Sequence, residues 1–345
     1  MPESRDLFWL DVLRVSAALG IVLFHVAAPL FHTGSPSPTA GDFALGLLRW
    51  PVPMFVMISG ALLLDSSRTE STREFLRKRA RRLLPPLLFW SAFFIVGRIV
   101  LFPSDSESQV GGILWLLATG QPAEHMWFLF MIAGLYLVTP YLRTCLREAS
   151  DSETRWLLAV FLILAFAHET WVAYAPQRHA TVFIMFVPYL GVYVYGHVLR
   201  AAPIERFSSR TLALTASVCL VLMSVGEPLL LAPLGIKASL LSGHFSPVTV
   251  AMTGAVFLLA RRHLGSGSRV PTPARGLVRD MARVSLGIYI LHPVVQRILI
   301  NGIMGVDVAA MDFFPWAPLL ALLTFAVSYL VSASLARVPY AKALV

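Results

Sequence analysis

What most constrains this chain is the way its apolar segments alternate with links that are in turn rich in arginine and nearly empty of it. The segments are residues 8–30, 43–64, 83–102, 127–141, 156–174, 181–199, 211–229, 248–259, 284–304 and 314–335. Several come close to the roughly 20 apolar residues that an α-helix needs to cross a bilayer. The spans 127–141 and 248–259 fall short, so flanking residues extend them, or they are tilted, broken or buried in the bundle. Residues 111–119 are a further apolar stretch, too short to cross, that lies along the interface or re-enters. The chain is 57% hydrophobic and 14% charged, whereas soluble domains carry about 25% charged residues. It lacks the polar cover that a water-soluble fold of this length requires. The expected fold is all-α, a polytopic integral membrane helix bundle with about ten transmembrane segments in one domain.

The links at 68–82, 200–210 and 261–280 carry arginine clusters and that at 146–150 carries Arg147, whereas those at 31–41, 103–120, 175–180, 232–246 and 305–312 contain only Arg178 and Lys237. Such a bias places the basic links and both termini in the cytoplasm, with an even number of spans. The net charge of +9 then needs no nucleic-acid partner, because the arginines lie between apolar segments and form no continuous basic domain. The basic stretches 65–82 and 261–283 are expected to be cytoplasmic loops, the second flexible because of its Pro, Gly and Ser content. Cys145 and Cys219 suggest no disulfide framework. The apolar run after Met1–Asp6 lacks a small-x-small cleavage site, so it is expected to persist as the first helix.

Polar residues inside such segments are costly and point to function. Arg14 and His25 occur in DVLRVSAALGIVLFH; at about 100° per residue they lie within about 20° of one helix face, about 16 Å apart along the axis. They suit a deep site approached from the cytoplasm; alternatively, Arg14 snorkels to the headgroups and His25 is an interhelical hydrogen-bonding residue. A histidine that is neutral near pH 7 offers both a donor and an acceptor, as general acid–base chemistry needs. Asp11 either pairs with Arg14 or caps the helix.

In WPVPMFVMISG, Pro51 and Pro53 predict a kinked helix lining a cavity, and Ser59-Gly60 leaves room for a close neighbour or serves helix packing alone. The cluster Arg77, Lys78, Arg79, Arg81 and Arg82 either anchors to anionic lipid or binds a phosphorylated ligand; Arg77, Arg81 and Arg82 are the candidates for the second role. Glu124, His125 and Trp127 form either an interfacial cap or a second polar wall of the cavity, where Glu124 orients a histidine or accepts a hydroxyl proton. Ser285, Tyr289 and His292 follow spacings that put them on one face of a helix. His168, Glu169, Glu227, Lys237 and His244 border the arginine-poor side, where they either bind an outward-facing substrate or, as is expected of most such residues, have surface roles. The nine histidines show no HExxH, no close cysteine pair and no acidic cluster, so no metal ligands are assigned.

DVLRVSAALGIVLFH, VPMFVMISGALLL, RARRLLPP, HMWFLFMIAGLYLVTP and SLGIYILHP, in that order, resemble the integral membrane acyltransferase 3 family along nearly the whole chain. The resemblance implies a bacterial inner-membrane enzyme that transfers an acyl group, often acetyl from acetyl-CoA, to a hydroxyl of a cell-envelope carbohydrate or other extracytoplasmic acceptor. It implies His25 as the catalytic histidine and Arg14 as the signature arginine of donor recognition or site organisation. The expected site then comprises His25 and Glu124 for catalysis, Arg14, Arg77, Arg81 and Arg82 for the donor, and Ser59, His125, Trp127, Tyr289 and His292 for the acceptor. The partners are an acyl-CoA, a glycan or lipid-linked acceptor and membrane lipid, with no tightly bound cofactor. The competing reading is a transporter or flippase of an envelope intermediate, which also uses broken helices and central polar residues.

Overall fold

The computed structural model describes residues 7–32, 46, 48–65, 70–175, 180–237, 239–265, 270–300 and 313–345. Arg178, most of the links 31–41 and 305–312, and parts of the basic stretches 65–82 and 261–283 lie outside them. The described residues form helices and no strands, so most backbone polar groups of a span are satisfied within its own segment, as lipid demands. The helices are α1 (Phe8–His32), α2 (Pro51–Leu63), α3 (Thr72–Leu101), α4 (Val110–Ala118), α5 (Trp127–Glu148), α6 (Asp151–Tyr174), α7 (Leu190–Ala201), α8 (Ser209–Val221), α9 (Pro247–Leu264), α10 (Thr272–Arg283), α11 (Ser285–Arg297) and α12 (Phe313–Leu335).

Among the described residues, seven helices are long and apolar enough to cross a membrane, and α10 with α11, bent by 72°, makes an eighth when counted as one span. The two short apolar spans 127–141 and 248–259 are extended by their flanks into α5 and α9. The expected count of about ten is approached only if α2 and α7 are added. These two are 13 and 12 residues long, too short to cross a bilayer untilted. They cross each other inside the bundle: a Cβ on Gly60 would collide with the Tyr193 carbonyl, and one on Gly196 with that of Met57. Ser59-Gly60 thus does admit a close neighbour. Segment 181–199 is not one helix, because turns occupy its first part and Pro188 sits in a single 3-10 turn before α7.

Other expectations are corrected. Pro51 and Pro53 do not kink a helix; they occupy the first turn of α2, where no intrahelical amide is needed and a fixed φ assists initiation. The stretch 261–283 is not wholly a loop, because α10 occupies 272–283 as an amphipathic helix. Likewise α3 begins at Thr72, capped by the Ser71 side chain, which accepts from the Glu74 amide at 3.2 Å. The arginines of 73–82 are therefore helical, and their faces matter.

The C-terminal carbonyls of α2 have no helical partners of their own. Arg143 of α5 donates from Nε to Leu63 O, and Arg200 of α7 donates to Ala61 O. Each guanidinium also meets a carboxylate, Arg143 with Glu70 at 3.2 Å and Arg200 with Asp65 at 3.7 Å. Arg261 closes α7 in the same manner, donating to Leu199 O and Ala202 O at 2.8 and 2.7 Å. Helix α1 runs through the middle, packed against α2, α9, α10, α11 and α12. That position sets Arg14 and His25 within the bundle.

Candidate active site

Histidines from three separate segments meet beside α1. His25 comes from α1, His125 from the single 3-10 turn Glu124–Met126 that leads into α5, and His292 from α11. Ring centroids are 5.0 Å apart for His25–His292, 5.6 Å for His125–His292 and 6.5 Å for His25–His125. His292 is fully buried and His125 nearly so, while His25 is half-buried. Phe94 and Phe24 close the cluster edge-on against His125 and His25.

Hydrogen bonds to backbone carbonyls hold this arrangement. His125 Nε2 lies 3.2 Å from Ile290 O, and the Tyr289 hydroxyl donates to His125 O, so the turn before α5 and helix α11 are tied in both directions. Because a carbonyl only accepts, Nε2 of His125 carries the proton. Gln296 Nε2 donates to His25 O at 3.1 Å, joining α11 to α1. His292 Nδ1 lies 2.6 Å from Tyr289 O. That carbonyl is available because its helical donor would be the amide of Pro293, which has no hydrogen.

Towards the start of α1, a cavity of about 190 Å³ is lined by Arg14, Ser59, Arg79, Arg82, Tyr136 and Ser285, among others. Arg14 pairs with Asp11 at 3.4 Å. Phe128 also lines this cavity and packs against Tyr289 at 5.4 Å between centroids. The cavity and the histidine cluster therefore share a wall. Of the expected donor residues, Arg14 and Arg82 line the cavity, whereas Arg77 and Arg81 are exposed and do not. Arg79, which was not among the selected candidates, does line it; its guanidinium lies over Phe75 and Tyr136 at 5.3 and 5.8 Å, and its Nε is buried without a hydrogen bond. Helical spacing separates the two sets, since Arg79 and Arg82 are three apart on one face and Arg77 and Arg81 lie on the opposite one.

Glu124 is exposed, with no hydrogen bond to the three rings among the described residues. Trp127 faces a different cavity of about 590 Å³, lined by Gln121, Phe161, Leu164, His168, Tyr189 and Phe245, among others. Its ring stacks with His244 and leans on Tyr189, whose hydroxyl lies 3.3 Å from His244 Nδ1. Glu169 accepts the Phe245 amide at 3.3 Å in the same region. Among the described residues, no three His, Cys, Asp or Glu side chains converge in a geometry that could hold a metal ion.

The described residues thus form a multi-pass helix bundle in which three histidines gather beside an arginine-lined cavity. The chain belongs to the acyltransferase 3 family: the family model, described as an acyltransferase domain, matches residues 7–333, nearly its whole length. It is thus a membrane acyltransferase. Neither the curated proteins nor the solved structures contain a match to it.

Proposed function

We propose that this acyltransferase moves an acyl group, most simply acetyl from acetyl-CoA, to a hydroxyl of a cell-envelope carbohydrate or related extracytoplasmic acceptor, from the bacterial inner membrane and with His25 as general base. The observation that carries the reading is the disposition along α1: an arginine-lined cavity at Arg14, and a histidine cluster farther along the same helix. The phosphates of an acyl-CoA suit Arg14, Arg79 and Arg82, because guanidinium groups match phosphate oxygens in charge and geometry. The flexible pantetheine arm then carries the thioester past Phe128 to His25. The acceptor approaches from the other end, where Trp127, Tyr189 and His244 present aromatic faces and Glu124 and Glu169 offer carboxylates. Aromatic residues joined to a few polar groups are the usual lining of a small-molecule site.

In the reaction, His25 takes the proton of the acceptor hydroxyl as its oxygen attacks the thioester carbonyl. The tetrahedral intermediate collapses to the ester, and the departing thiolate takes the proton from the His25 imidazolium. Acyl–sulfur is broken, acyl–oxygen is formed, and the base returns neutral. Reconstitution in vesicles with radiolabelled acetyl-CoA and envelope glycan fractions tests the reading. Label is expected to become stably attached to an acceptor in wild type and not in His25→Ala; vesicle uptake of unmodified glycan without attached label would instead establish a transporter.

A further inference from the structure

Hydrogen bonding settles the protonation pattern of His292. Its Nδ1 faces Tyr289 O at 2.6 Å, and a carbonyl cannot donate, so in the neutral ring Nδ1 bears the hydrogen and Nε2 the lone pair. Nε2 is buried and has no hydrogen-bond partner among the described residues. Buried polar atoms are nearly always satisfied, so an acceptor left open in this way calls for a donor. The nearest imidazole is that of His25, with centroids 5.0 Å apart and planes inclined by 50°. Two imidazoles joined by an N–H···N bond have about this separation, so the spacing of the rings is compatible with a donor from His25 to Nε2. His125 is less suited: its ring is 5.6 Å from that of His292, and its N–H is committed to Ile290 O.

We propose that His292 is the positioning residue for His25, accepting the N–H of the His25 ring at Nε2 and so fixing the tautomer whose other nitrogen faces the acceptor hydroxyl. This rests on the reading of His25 as the base. When His25 takes the hydroxyl proton, the same hydrogen bond strengthens against the imidazolium, and His292 keeps its own Nδ1 hydrogen throughout. An aspartate serves a catalytic histidine similarly in Ser-His-Asp triads. A neutral imidazole does so without placing a carboxylate in the membrane interior, where a charge is costly. Pro293 is part of the device, because it frees the Tyr289 carbonyl that orients His292.

The test combines ring-¹⁵N histidine spectroscopy of the purified full chain with acetyl transfer from acetyl-CoA to envelope glycans, in wild type, His292→Gln and His292→Phe. Glutamine can present an acceptor oxygen near the Nε2 position; phenylalanine fills the space without one. In wild type, His292 should show a protonated Nδ1 and bare Nε2, and His25 a single tautomer. His292→Phe should give a mixed His25 tautomer and transfer lower by about tenfold or more, with acetyl-CoA affinity unchanged, by analogy with the roughly 10–100-fold that orienting partners contribute at metal-bound histidines. His292→Gln should restore the single tautomer and bring transfer to within about threefold of wild type. A protonated His292 Nε2 in wild type, or a His25 tautomer indifferent to His292→Phe, overturns the proposal. Because the wild-type spectrum alone reads the first of these, failure of a variant to fold does not shield it. If the spectra behave as expected but wild type transfers no acetyl group, the pairing of the rings stands and the functional reading falls.

Discussion

The proposed chemistry turns on His25, and replacing this residue separates chemical from structural roles. Its ring makes no hydrogen bond among the described residues, while its carbonyl is held by Gln296, so a side-chain change leaves that backbone tie between α1 and α11 in place. Loss of general-base assistance lowers rates by roughly 10² to 10⁴-fold. We expect His25→Gln to transfer acyl groups at least about a hundredfold more slowly than wild type, with acyl-CoA binding and thermal unfolding unchanged. A variant keeping more than about a third of wild-type turnover, with chemistry rate-limiting, would transfer the base to another histidine. The arginines allow a second comparison. The pair Arg79→Gln and Arg82→Gln should weaken acetyl-CoA binding well beyond Arg77→Gln and Arg81→Gln, although both pairs remove the same charge. Equal losses from the two pairs, measured by calorimetry at one ionic strength, would reduce the cluster to a general electrostatic or topological feature. Each histidine of the cluster was visible in the sequence as a polar residue in or beside an apolar segment. Their convergence was not, because the period within a helix says which residues share a face and nothing about which helix lies opposite. Arg79 was within reach of the same reasoning: once the arginine run is taken as a helix, its face differs from that of Arg77 and Arg81.

At the scale of elements, much of the arginine content is structural. Arg143, Arg200 and Arg261 satisfy carbonyls at the ends of α2 and α7, and Arg262 donates to Ile204 O and Phe207 O in the following turn. The alternation of basic links reads as topology in the sequence; Arg200, Arg261 and Arg262 of those links also close helix or turn ends, where a positive charge is favourable. Helix ends themselves were less legible. Proline reads as a breaker, yet Pro51 and Pro53 start α2, and the Gly- and Pro-containing stretch of α10 is helical, with Arg275 and Arg279 over the Phe8 ring at 4.8 and 5.9 Å. Glu70 gives these contacts a measurable signature. It accepts from Arg143 and Lys78, both at 3.2 Å. Burial alone would raise its pKa, but the hydrogen bonds from Lys78 and Arg143 and their positive charges outweigh burial and hold the carboxyl below its ordinary value. A carboxylate with a depressed folded-state pKa contributes stability that is present above its unfolded pKa and lost as pH falls through the folded one. The melting-temperature gap between wild type and Glu70→Gln should therefore be constant from about pH 7 to 5.5, and close below the ordinary glutamate value of about 4.3. A gap independent of pH down to acid unfolding would mean that Glu70 acts through packing alone.

Across the whole molecule, both ends of the described chain lie at one end of the bundle. Phe8 at the start of α1 packs beneath Arg275 and Arg279 of α10, and Asp280 of the same helix accepts from the Tyr329 hydroxyl, near the end of α12, at 2.8 Å. Termini on one side require an even number of crossings, which agrees with counting the bent α10–α11 pair as one span beside the seven long helices. The same end carries the Arg14 cavity and the capping arginines, and lysine and arginine are retained on the cytoplasmic side of membrane proteins. The cavity of Trp127, Tyr189 and Phe245 belongs to the opposite half, near the C-terminal part of α6. If the donor enters at the arginine-lined end and the acceptor at the other, the enzyme is sided, and sidedness can be measured without knowing the natural acceptor in advance. In proteoliposomes whose orientation is fixed by protease protection of a C-terminal tag, acetyl-CoA supplied on the side of the termini should label envelope glycans present on the other side. Acetyl-CoA supplied only on the far side should not, because its phosphates would meet the aromatic cavity and not Arg14, Arg79 and Arg82. Equal labelling from both sides, in vesicles shown to be impermeable to acetyl-CoA, would contradict a donor route through the arginine-lined cavity even if His25 proved to be the base.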